Sequence, residues 1–100
     1  MGKRARARRL ALQQHVRDLE RLAELAPGGS PERPLDVDAS PLVDVIASAT
    51  PCPLCNGSVR LDEHAAETID GARLRIARVT CTSCGVARET YFRLREPLSS

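Results

Sequence analysis

Cys52, Cys55, Cys81 and Cys84 are the four cysteines of this 100-residue chain, and they fall in two C-x-x-C pairs, Cys52-Pro53-Leu54-Cys55 and Cys81-Thr82-Ser83-Cys84. A C-x-x-C turn presents two sulfurs on one side, and two such turns brought together make a tetrahedral shell of four thiolates for a metal ion. The same pairs could also form two disulfides or a redox dithiol. Disulfides suit a secreted chain. The N-terminus Met1-Gly2-Lys3-Arg4-Ala5-Arg6 has no apolar stretch behind its charges, so no signal peptide is expected. No run approaches the roughly 18 apolar residues of a membrane span. The expected setting is therefore the reducing cytoplasm, where paired cysteines favour a metal.

The residue after each second cysteine sharpens this reading. The chain must bend sharply there, and Asn56 and Gly85, at equivalent positions, both tolerate positive φ. Pro53 stiffens the first turn. The pattern C-P-x-C and C-x-x-C-G resembles the zinc-ribbon family, over about residues 50–95. The resemblance implies two zinc knuckles on a three-stranded antiparallel sheet, with Cys52, Cys55, Cys81 and Cys84 all ligands of one structural Zn2+. Four thiolates close the shell and leave no position for a reacting water, so no enzymatic role is expected of the metal. Iron in a rubredoxin-like site is the second choice of metal; Tyr91 and Phe92 are the only aromatic residues available to pack around it.

The elements that must position these turns can be read from periodicity. From Gly57 onward the pattern is that of strands: Val59, Leu61 and Glu63 alternate with Arg60, Asp62 and His64, Asp70-Gly71 marks a turn, residues 73–79 alternate again, and Val86 to Leu94 form a third strand. Upstream, residues 3–26 read as one amphipathic helix, with Leu12, Val16, Leu19, Ala23 and Ala26 at steps of four and three. Pro27-Gly28-Gly29 ends it. Residues 27–41 hold four of the seven prolines and read as an extended, flexible linker. Ser40-Pro41 then suggests an N-cap and first position for a short helix over 42–49. The expected organisation is thus a small α+β chain: basic arm and helix 1–26, linker 27–41, short helix 42–49, zinc ribbon 50–96 and a frayed tail 97–100. With so little to bury, a domain of this size is expected to need a staple.

Charge is uneven. Residues 1–26 carry seven basic and three acidic side chains, residues 27–49 one basic and four acidic, and the remainder seven basic and six acidic. Lys3, Arg4, Arg6, Arg8 and Arg9 form a basic arm suited to phosphate contact by counterion release. Positive charge opposes the helix dipole at an N-terminus, so the arm is expected to order on a partner. Strand arginines (Arg60, Arg73, Arg75, Arg78, Arg88 and Arg93) are interleaved with carboxylates, which favours cross-strand ion pairs over a nucleic-acid surface. His64 and His15 read as structural, and no catalytic triad or phosphate-cradling loop is visible.

Two functions therefore emerge. The first is a nucleic-acid or nucleoprotein binding module that uses residues 3–9. The second is a protein-interaction adaptor whose Leu12–Val16–Leu19–Ala23 stripe docks on a partner or self-associates.

Overall fold

The computed structural model describes residues 3–95. Helix α1 runs over Lys3–Leu25, so the basic arm is helical from its start; β1 is Leu35–Val37, α2 Ser40–Ala49, β2 Val59–Ile69, β3 Ala72–Cys81 and β4 Ala87–Leu94. The four strands form one mixed sheet in the order β1-β4-β3-β2. The proposed tail, residues 97–100, lies outside the described residues.

The expected three-stranded antiparallel sheet is corrected to four strands by β1. This strand arises within the proposed linker and pairs parallel to β4, with Leu35 opposite Phe92, Asp36 opposite Arg93 and Val37 opposite Leu94. Leu-Asp-Val is itself alternating, so its two apolar residues turn to the core while Asp36 meets Arg93 at 2.8 Å on the outer side. The Arg95 amide donates to the Val37 carbonyl and ties down the end of the strand. α2 begins at Ser40 rather than Leu42. Its N-cap is Ala39, which makes no side-chain cap bond, and Pro41 falls within the first turn. Ser40 is therefore not the cap the sequence suggested.

β2 and β3 form a long hairpin closed by Asp70 and Gly71, both at positive φ (49° and 82°), the conformation of a two-residue turn whose twist matches the strands. The alternation in β2 breaks once. Leu61 pairs with Val79 and Glu63 with Arg78, leaving Asp62 as an extra residue in a bulge. Beyond it the faces exchange. Glu63 joins Asp62 on the polar side, and His64 turns beneath α2, where its Nδ1 lies 2.8 Å from Asp44. The simple period-two reading placed these two residues on the opposite faces.

The core lies between α2 and one face of the sheet. Val37, Val43, Ala47, Ala77, Val79 and Phe92 are buried together, with Leu35, Ile46, Val59, Leu61 and Leu94 packed around them. Phe92 is fully enclosed. On the opposite face Arg78 bonds Glu63 and Glu67 at 2.7 and 2.8 Å. Leu74 and Ile76 are buried on this same face, with Glu67 opposite Leu74 in the register. The backbone of α1 approaches no other helix or strand among the described residues, and only its last turns, at Leu19 and Ala23, are covered. No helix there is long and apolar enough to cross a membrane.

Candidate metal centre

Each knuckle is built from the same backbone bonds. In the first, the Asn56 amide donates to the Cys52 carbonyl at 2.7 Å and the Cys52 amide to the Gly57 carbonyl at 2.9 Å. In the second, the Gly85 amide donates to the Cys81 carbonyl at 3.0 Å and the Cys81 amide to the Val86 carbonyl at 2.9 Å. Asn56 and Gly85, expected to hold positive φ, do so at 62° and 78°. The two turns are therefore equivalent in structure as well as in sequence. The sheet sets them side by side: Val59 pairs with Cys81, and the Thr82 amide donates to the Ser58 carbonyl at 2.9 Å.

This register gathers all four sulfurs within 4.8 Å of one another. The nearest cross-knuckle pairs are Cys52–Cys84 at 3.7 Å and Cys55–Cys81 at 3.4 Å. These separations are well beyond a disulfide bond of about 2.05 Å. They are close to the roughly 3.8 Å edge of a tetrahedron built from thiolates about 2.3 Å from a central zinc. Cys52 and Cys81 are buried, whereas Cys55 and Cys84 face outward. A metal in this shell would sit at the surface end of the sheet with one sulfur of each pair anchored in the fold.

The electrostatics also suit a cation. At Cys81 the Cys84 amide, helped by the Ser83 amide and working against burial, draws the thiol down to about 6. Those amides lie 3.4 and 3.3 Å from its sulfur. At Cys55 the Gly57 amide acts in the same direction, but the hydrogen bond to Cys81, burial and the other two thiols outweigh it and hold the proton to about 12. The Cys81 site thus favours the thiolate and the Cys55 site the thiol. Deprotonating all four requires positive charge among them, which a divalent ion supplies.

Sequence reasoning missed two contributors. A Cβ on Gly57 would fall 2.7 Å from Ser83 Oγ, 2.9 Å from Ser83 Cβ and 3.2 Å from Cys55 Sγ. Gly57 is thus the point where the knuckles touch, and Ser83 fills the space it leaves. Gly57 follows a more conspicuous turn residue, and only the pairing of two distant segments reveals its role. The other missed contact is Asp44–His64, hidden by the bulge at Asp62.

The remaining candidate residues lie elsewhere. Arg4, Arg6, Arg8 and Arg9 are exposed along α1, as is His15. On the same helix Leu12 and Leu22 are 61% and 63% exposed, Val16 41%, Leu19 is half-buried, and Ala23 is buried. Among strand arginines, Arg60 bonds Asp62, Arg78 bonds two glutamates and Arg93 bonds Asp36. Comparisons with protein-family models, curated proteins and solved structures found no significant match.

Proposed function

We propose that this chain is a non-enzymatic interaction module in which one structural zinc ion, held by Cys52, Cys55, Cys81 and Cys84 in a zinc-ribbon-like pair of knuckles, staples the sheet, and α1 serves as the docking element. The observation that carries the reading is the projection of most of α1 beyond the sheet. A 23-residue helix whose backbone, among the described residues, approaches no other helix or strand and is covered only near Leu19 and Ala23 exposes Leu12, Val16 and Leu22 to solvent. Large apolar side chains left exposed along a projecting helix point to an interaction surface. Zinc is favoured over iron because the surroundings of the sulfurs are polar and partly open, with Ser83, Asn56 and Thr82 rather than aromatic rings next to the knuckles. The closed set of four thiolates supports a structural rather than a reactive role.

The docking reading is tested by immobilising the full-length chain and its Leu12→Asp/Leu22→Asp variant and comparing what each retains from a lysate. A partner held by the first and released by the second is expected. Identical retention would contradict the reading.

The nucleic-acid reading stands second, favoured by Arg4, Arg6, Arg8 and Arg9, which are exposed with no carboxylate before Asp18. It is weakened by the sheet, where three of the strand arginines are already paired to acids. Binding to random DNA or RNA at low salt should be steeply salt-dependent and lost in Arg6→Glu/Arg9→Glu. No affinity at low salt would remove it.

A further inference from the structure

The two ends of α1 differ in charge. Lys3, Arg4, Arg6, Arg8 and Arg9 open the helix, whereas Asp18, Glu20 and Glu24 lie in its second half beside Arg17 and Arg21. Glu20 and Glu24 also form one wall of a groove whose other wall is the sheet near the cysteine knuckles, including Asp62, Glu63 and Glu89. The groove's two guanidiniums belong to Arg78 and Arg88; Arg78 bonds Glu63 and Arg60 bonds Asp62, so the groove's excess negative charge rests on Glu20 and Glu24. A net acidic groove therefore adjoins the end of α1 farthest from its basic arm.

The apolar residues between these ends are also symmetric. Leu12 and Leu22, and likewise Val16 and Leu19, are nearly equidistant from Arg17, three residues past the helix midpoint, and at 100° per residue they fall within one side of the helix. An antiparallel pair of α1 helices would set Leu12 of one chain against Leu22 of the other and Val16 against Leu19, so that the same patch serves both chains as a two-fold interface requires. In that register each basic arm, residues 3–9, would lie opposite residues 25–31, the end of the opposing helix and the turn after it, where Gly29 lines the acidic groove and Glu24 is one turn away. In a parallel pair the two arms would lie together and repel. The antiparallel arrangement also answers the helix dipole: five positive charges at an N-terminus are unfavourable alone, and carboxylates from a second chain relieve them.

Resting on the reading of α1 as a docking helix, we propose that its partner is a second copy of this chain, paired antiparallel, with the basic arm of each chain held by the acidic groove of the other. The apolar stripe provides the contact, and the charges set its direction.

Sedimentation equilibrium of the full-length, zinc-loaded chain tests this in the micromolar range. The expected mass is twice 10.9 kDa, falling to that of one chain in Leu12→Asp. Arg6→Glu/Arg9→Glu and Glu20→Lys/Glu24→Lys should each weaken self-association by about tenfold or more, and mixing the two variants should restore a dimer. Zinc content and helical circular dichroism of each variant establish that it is folded, and a rise in the wild-type dissociation constant with salt gives a measure free of substitution. A chain that stays at 10.9 kDa overturns the proposal. So does a dimer indifferent to Leu12→Asp or to both charge reversals. A monomer that binds nucleic acid through the same arginines overturns it too. If the monomer still retains a different protein through Leu12 and Leu22, only the self-pairing fails. If it retains nothing, the docking reading fails with it.

Discussion

Single residues decide whether the two knuckles can meet. Gly57 is present because any Cβ would press on Ser83 and Cys55. Gly57→Ala should therefore destabilise the fold by about 1–3 kcal/mol, the usual cost of steric conflict in a packed site, and chemical denaturation measures it. Adding Ser83→Gly should recover part of the loss, because it removes the nearer clashing atoms. Gly85 has the opposite problem. Nothing lies within 4 Å of a Cβ placed there, yet its φ of +78° disfavours other residues, so Gly85→Asn should be tolerated better than Gly85→Val. The ligand assignment makes a stricter demand. Native mass spectrometry of Cys81→Ser should show the bound ion lost, whereas retention at wild-type stoichiometry would refute the quartet. The cysteines, Asn56 and Gly85 could be found in the sequence because local turns constrain them through nearby residues. Gly57 and the Asp44–His64 pair could not, since their constraints come from segments 20 or more residues away.

At the scale of elements, β1 is the instructive case. Four prolines made residues 27–41 look like a linker, yet the short alternation of Leu35, Asp36 and Val37 suffices once Phe92, Arg93 and Leu94 lie beside it. Three residues carry too weak a periodic signal to be found alone, and parallel pairing leaves no hairpin turn to announce it. Long β2 and β3 were readable, but the bulge at Asp62 was not, because an inserted residue preserves composition while exchanging faces. The attachment of β1 should depend on pH. The hydrogen bond from Arg93, opposed by desolvation and reinforced by the charges of Arg93 and Arg95, holds the Asp36 carboxyl below its ordinary 3.8. A depressed carboxyl stabilises the folded form above its unfolded value, and that contribution is lost as pH falls from there through the folded value. Hydrogen-exchange protection of the Arg95 amide, which donates to Val37, should therefore not respond to Asp36 ionisation near neutrality and should decline on acidification below about pH 4. Asp36→Asn should lower the protection and remove this acid-dependent step; an unaltered profile would show that the ion pair does not hold the strand.

The whole molecule consists of a small sheet core, which the proposed metal would staple, and a projecting helix. Its extents of 69 × 25 × 16 Å reflect α1, about 34 Å long at 1.5 Å per residue, projecting beyond the sheet from its last turns. The core is one face of four strands under a ten-residue helix, and a domain this small falls where metals commonly supply the missing stability. The stripe on α1 was visible from its spacing, but how little of it the fold covers was not, since periodicity reports an apolar face without saying what covers it. The acidic groove beside Glu20 and Glu24 was equally hidden, because it joins residues from α1, β2 and β4. The central claim is that a metal held by the four thiolates keeps the sheet folded. Its most direct test is far-ultraviolet circular dichroism of the full-length chain during titration with a zinc chelator. The predicted result is cooperative loss of the sheet signal, recovered on adding back one equivalent of zinc. A spectrum and melting temperature unchanged after complete removal of metal would contradict the account.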